Sequence, residues 1–134
     1  MNIELDPIDL KIIELLQQDS RLSHKEIGQQ VHRTGQAVGG RIAQLIDAGI
    51  IKNYTIKIYY EHQQFIQLFL NEQQAFSEIE NLIKQYPQID QCFKTFGNAC
   101  YMIVSHFNPS TLNEFIEHIS TWCRYSVETV VREI

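Results

Sequence analysis

No stretch of this chain comes near the run of about 18 apolar residues that a membrane-crossing helix needs. The opening MNIELDPIDL is acidic where a secretory leader is basic and then apolar. A cytoplasmic protein without membrane contact is the expectation. Cysteine is scarce and poorly spaced for chemistry: Cys92, Cys100 and Cys123 contain no C-x-x-C pair and leave one thiol over. That pattern fits reduced, buried thiols rather than a disulfide framework or a zinc site. His24 and His32 match no metal-ligand spacing and read as turn residues. A nucleophile–base set and a phosphate-cradling glycine loop are missing as well, so no metal, no cofactor and no covalent catalysis are expected. Positive charge is in deficit, with 11 Lys and Arg against 16 Asp and Glu.

What is present is the composition of a folded chain, 44% hydrophobic and 20% charged over 134 residues, enough for one ordinary domain or two small ones. The charge is unevenly distributed. Glu4, Asp6, Asp9, Glu14 and Asp19 stand against Lys11 alone, whereas Arg21, Lys25, Arg33, Arg41 and Lys52 outnumber Glu26 and Asp47 in the next segment. A phosphate backbone responds to local basic surface, so the overall negative charge does not exclude DNA.

Three short helices are written into the first half. Asp6-Pro7 is a start signal, an N-cap followed by a proline at the first helical position, and Leu10, Ile12, Ile13 and Leu16 recur at helical spacing until about Asp19. Ser23-His24-Lys25-Glu26 is a capping box that opens a second helix running to about Val31, with Leu22 placed to staple onto Ile27. Thr34 can cap a third helix, and Gly49 occupies the position of a left-handed C-terminal cap. Val38, Ile42, Leu45 and Ile46 define its inward face; Gln36, Ala37, Gly40, Ala43 and Gln44 define the outward one. Gly39-Gly40 costs such a helix roughly 1 kcal/mol per glycine against alanine. A smooth face flanked by Arg33 and Arg41 suits entry into a major groove, with amides for base edges and cations for phosphates. The same face also suits a plain solvent helix, and Arg41 can equally be tied to the acidic first helix, for instance to Asp9.

LDPIDLKIIELLQQDSRLSHKEIGQQV, the third helix and DAGIIKNYT together resemble the DNA-binding half of the Lrp/AsnC family of transcriptional regulators. The matching positions include Leu5-Asp6, Asp9, Asp19, Arg21, Ser23, Glu26, Val38, Arg41, Leu45 and Gly49-Ile50-Ile51. The resemblance implies double-stranded DNA as partner and residues 34–48 as recognition helix. Ser23, His24, Lys25, Arg33, Thr34, Gln36, Ala37, Gly40, Arg41 and Gln44 are then the expected contacts. Most relatives carry larger or charged residues where this chain has Gly39-Gly40.

NYTIKIYY reads as a linker strand, and the rest follows a β-α-β-β-α-β order, a ferredoxin-like split unit. The expected fold is α+β: a helix-turn-helix (winged-helix-like) domain at 1–51, a linker strand at 52–62 and a ferredoxin-like domain at 63–134. Two helices on one sheet face leave the other face to be covered, and a homodimer is the expected solution. By resemblance, dimers assemble further into an octamer in many relatives, and the second domain senses amino acids through a Thr-Gly-x-x-Asp turn. Here that turn reads Phe96-Gly97-Asn98-Ala99-Cys100, without the threonine or the carboxylate. Phe96, Gly97, Asn98, Cys100 and Tyr101 are the expected effector residues, for a small molecule other than a typical amino acid or for none. If Gly97-Asn98 forms a two-residue turn, Cys92 and Cys100 fall on opposite sheet faces and cannot chelate together; a longer turn reverses this. A small-molecule-binding oligomeric module whose helices contact protein, and a small ferredoxin-like enzyme, are the alternatives.

Overall fold

The computed structural model describes residues 4–70 and 75–134, and the chain divides into two compact units, Met1–Lys57 and Ile58–Ile134. The first unit is helical, with α1 Pro7–Gln18, α2 His24–Val31 and α3 Gly35–Asp47. Each starts at the cap its sequence announces. The Asp6 and Asp9 side chains each accept from the other's backbone N–H, Ser23 and Glu26 do the same, and the Thr34 hydroxyl accepts from the Ala37 N–H. At the end of α3 the Ile50 N–H donates to Leu45 O and the Gly49 N–H to Ile46 O, both at 2.9 Å, with Gly49 at φ 74°. This is a Schellman ending, which satisfies carbonyls that would otherwise lack partners. Ile12, Ile27, Val38 and Leu45 are fully buried between the helices, each contributing about 1.5–3 kcal/mol. Ile46, expected inside, is 44% exposed; Val38, Ile42 and Leu45 already fill the inward stripe, and residue 46 lies on its margin.

The α2–α3 turn is tighter than the sequence suggests. His32 takes the left-handed conformation at φ 57°, a strained choice for a non-glycine residue, and the Arg33 N–H donates back to Gly28 O at 3.0 Å. A Cβ on Gly28 would stand 2.4 Å from the Arg33 carbonyl oxygen. Gly28→Ala is therefore expected to cost about 2 kcal/mol through backbone displacement, measurable as a lowered denaturation midpoint with unchanged helix content below the transition.

The segment expected as a linker strand at 52–62 forms no strand. Its β-branched and aromatic residues favour extended backbone, but a strand exists only with a hydrogen-bonded neighbour, and this chain offers it none among the described residues.

The second unit is a four-stranded antiparallel sheet in the order β2-β3-β1-β4, built from β1 Gln64–Phe69, β2 Ile89–Lys94, β3 Tyr101–Ser105 and β4 Arg124–Thr129. Two helices, α4 Phe76–Ile83 and α5 Pro109–Ile119, complete the ferredoxin-like order. The elements are shorter than the sequence suggests; β4 ends at Thr129 rather than running to Ile134, and Asn71, the expected end of β1, lies outside the described residues. Ile66, Leu68, Tyr101 and Ile103 pack on Ile79, Phe115 and Ile119 of the helices. At one corner the Gln64 amide is buried and fully engaged: Ser105 Oγ and the Phe107 N–H donate to Oε1 at 2.8 and 3.0 Å, and Nε2 donates to Phe107 O at 2.9 Å. The β2–β3 register pairs Cys92 with Ile103 and Lys94 with Tyr101, and the Thr95 N–H donates to Cys100 O at 2.9 Å. That bond closes a four-residue loop, Phe96 to Ala99, in place of the two-residue turn considered at Gly97-Asn98, and Cys100, just before β3, packs against the core cluster.

Candidate nucleic-acid interface

The two adjacent glycines of α3 have different surroundings. A Cβ on Gly39 would lie 2.9 Å from Nδ1 of His24, so Gly39 makes room for an imidazole from the start of α2. Gly40 has nothing within 4 Å of that position. It opens to solvent on a face shared with Gln36, Ala37, Ala43 and Gln44, all exposed and none charged.

Around this face the electrostatics are polarised. On one side the N-termini of α2 and α3 converge, with Lys25 N only 3.3 Å from the Cβ position of Gly35. Both helix dipoles present their positive ends there. The side chains of Ser23, His24, Lys25, Arg33 and Thr34 gather at that end and are exposed. The hydroxyls of Ser23 and Thr34 also serve as helix caps, accepting from Glu26 N–H at 3.0 Å and Ala37 N–H at 3.1 Å. Arg33 spends one donor on His32 O at 3.0 Å and is otherwise open.

Arg41 lies on the opposite flank and is not free. Its Nη1 donates to Asp6 Oδ2 at 2.6 Å and Asp9 Oδ1 at 3.1 Å. The hydrogen bond from Arg41, with help from the Asp9 backbone, holds the Asp6 carboxyl below the usual carboxylate range, and the same contacts raise the Arg41 guanidinium. The sequence leaves Arg41 open between phosphate and helix packing; its Nη1 is committed to packing. Asp6, legible in sequence as a cap, has this second role through a contact 35 positions away that no local pattern announces.

The turn matched to the effector site is differently built from its expected form. Thr95, one residue before the position of the missing threonine, donates its hydroxyl to Ala99 O at 2.7 Å and closes the loop. Phe96, Gly97 and Asn98 are exposed. Cys100 Sγ sits against the Leu70 backbone, accepting from its N–H at 3.5 Å. Tyr101 is buried, with burial pushing its hydroxyl up to about 12, and that hydroxyl has no partner among the described residues. The structure thus splits the expected set into an exposed tip at 96–98, a half-buried Cys100 and a buried Tyr101. Against the expectation of buried thiols, Cys92 is exposed and Cys100 and Cys123 are half-buried; desolvation lifts the Cys123 thiol to about 11, which keeps it protonated at neutral pH.

Residues 5–52 match the family described as winged helix-turn-helix DNA-binding. The chain is 30% identical to the HTH-type transcriptional regulator LrpB of Bacillus subtilis, covering 98% of this chain and 92% of that one. It is likewise 30% identical to LrpC of the same organism, over 98% and 95%. The solved structure of B. subtilis LrpC superposes with a TM-score of 0.87 at 29% identity, covering 98% of both chains. E. coli AsnC shares the fold at a TM-score of 0.80 and 18% identity, covering 98% of this chain and 95% of that one. With a three-helix unit that presents an open, uncharged helix face beside converging helix N-termini, and with full-length relatives at this identity, the chain belongs to the Lrp/AsnC family of DNA-binding transcriptional regulators.

Proposed function

We propose that α3 enters the major groove with Gln36, Ala37, Gly40 and Gln44 toward the bases, while Ser23, His24, Lys25, Arg33 and Thr34 line the phosphate backbone. The open Gly40 position carries this reading: nothing stands between that stretch of helix backbone and an approaching base edge. Gln can pair with adenine N6 and N7, and alanine methyls suit thymine methyls. The direct test is a shift assay on the DNA upstream of the protein's own gene across a salt series. Saturable binding that weakens with salt supports the reading, and no binding to any duplex overturns it. Arg33→Ala is expected to weaken binding to all sequences alike and flatten log K against log salt by about one unit per bound helix.

The functional unit in this reading is a cytoplasmic homodimer, with an octamer as its higher assembly and no enzymatic activity. The sheet face away from α4 and α5 exposes Phe65 by 45% and Phe93 by 52%, and a second copy would cover it. The unpaired segment from Asn53 to Tyr59, with Ile56 75% and Tyr59 89% exposed, is a ready strand for the same partner.

A solved relative from Neisseria meningitidis was crystallised with L-Met, with a TM-score of 0.84 at 23% identity over 98% of this chain and 92% of that one. In this reading the effector site of this chain is the turn Phe96 to Tyr101, and it offers no carboxylate to a free ammonium group, whose desolvation would go uncompensated. Common amino acids are expected to bind with dissociation constants of about 1 mM or weaker, equivalent to ~4 kcal/mol. Calorimetric titration with all twenty checks this; a micromolar affinity that survives Cys100→Ala would contradict it.

A further inference from the structure

Beside the open face of α3 lies a notch of about 490 Å³, lined by Ala37, Gly40 and Gln44 from that face, by Arg41, and by the carboxylates of Glu4, Asp6 and Asp9. Both ion pairs of Arg41 use the same nitrogen, Nη1, at 2.6 and 3.1 Å. Nη2 and Nε make no hydrogen bond among the described residues, and the side chain keeps 27% of its exposure. The Glu4 carboxylate makes no hydrogen bond among those residues either. The guanidinium is therefore clamped at one corner, with its other donors unspent.

Charge decides what those donors suit. Arg41 with Asp6 and Asp9 carries a net charge of about −1, and Glu4 adds another negative charge, so a phosphate gains little there: Arg41 is already neutralised and no counterion is released on its account. A base edge is neutral and is read by geometry. The major-groove edge of a G·C pair presents two acceptors, guanine O6 and N7, followed by the cytosine N4 donor. Arginine donors next to a spare carboxylate match that order. An A·T pair offers acceptor, donor, acceptor and methyl, which does not.

We propose that this notch reads one G·C base pair in each half-site, Arg41 donating to guanine and Glu4 accepting from the cytosine amino group, with Asp6 and Asp9 as positioning residues that fix the guanidinium. The assignment rests on the major-groove placement of α3 and adds to it a specificity contact from the acidic flank. It makes Arg41 a reader of sequence, where Arg33 and Lys25 read only the backbone.

The experiment is selection from random duplex DNA, followed by affinity measurement on every single-position variant of the selected site, with folding of each variant protein checked by thermal denaturation. Wild type is expected to show one G·C position per half-site where A·T lowers affinity about tenfold or more. Arg41→Lys, which keeps the charge but lacks the fork, is expected to reduce that preference below about twofold and leave the other positions intact. Asp6→Asn retains the N-cap but offers no second acceptor to Nη1, and it is expected to blunt the same position while raising affinity for unrelated DNA. Asp6→Asn also answers the question if Arg41→Lys fails to fold. The proposal is overturned if both variants keep the wild-type base profile and lose only thermal stability. A uniform loss on all sequences with a flatter salt slope also overturns it, since that is the signature of a phosphate contact. A wild type that binds no duplex at all refutes the groove placement itself, a result distinguishable from either.

Discussion

Gly40→Leu is expected to fold at least as well as the parent and to lose specific DNA binding by a hundredfold or more. Leucine is a better helix former than glycine by up to ~1 kcal/mol, and at residue 40 it would meet nothing within 4 Å, so the stability change should be favourable. In the proposed complex the same side chain would stand between the α3 backbone and the bases and would separate Gln36, Ala37 and Gln44 from the base edges assigned to them. Losing one or two good base contacts at about 1–3 kcal/mol each accounts for the hundredfold figure. Gly40→Ala is the control, with a similar gain in stability and a much smaller loss of affinity. The measurement is a shift assay against selected and scrambled duplexes alongside thermal denaturation. If Gly40→Leu binds selected DNA like the parent, the face turned to the groove is a different one.

The second large effect is expected from Phe65→Asp combined with Phe93→Asp. Both rings lie on the sheet face without helices: Phe65 pairs in register with Val104, and Phe93 with Met102, whose thioether accepts from Gln67 at 3.4 Å. In a two-fold dimer each substitution occurs twice in one patch, so four carboxylates would be driven together where apolar surface is now to be covered. Sedimentation should show a monomer. Operator affinity should fall by two orders of magnitude or more, because the second half-site would no longer be presented at high effective concentration. The sheet unit itself should stay folded, as neither ring belongs to its core cluster. A variant that remains dimeric would move the interface elsewhere.

How much of this was legible in the sequence follows from the range of the forces involved. Asp6, Ser23, Thr34 and Gly49 act on backbone groups within a few residues, and their helices begin and end where those residues say. The βαββαβ order was equally legible because the period of the apolar residues changes from 2 to 3.6 between elements. Contacts distant along the chain were not. Nothing local shows that Gly39 faces His24 or that Gly28 faces the Arg33 carbonyl; the tie of Arg41 to the first helix, one of two readings open in the sequence, is found at Asp9 and extends to Asp6. The linker shows the converse: NYTIKIYY has the composition of a strand, and composition cannot supply the neighbour that would make it one. On the candidate interface, residue types on α3 gave the outward face correctly, while the division into a cationic end and an acidic flank emerged only once α1 was set beside α3.

The buried amide of Gln64 has a consequence for which sheet can form at all. Sliding β1 by one residue against β3 would exchange the two faces, putting Phe65 inside and Gln64 outside. A slide of two residues would keep the faces but carry the amide away from Phe107, leaving its own groups and the Phe107 N–H and carbonyl unpaired in an apolar interior, at about 1–3 kcal/mol for each orphan. Apolar contacts such as those of Ile66 and Leu68 with Tyr101 and Ile103 tolerate misalignment far better than a polar key does. Gln64 thus favours one pairing of β1 with β3 over the neighbouring ones of the same facing, which apolar packing alone would separate poorly.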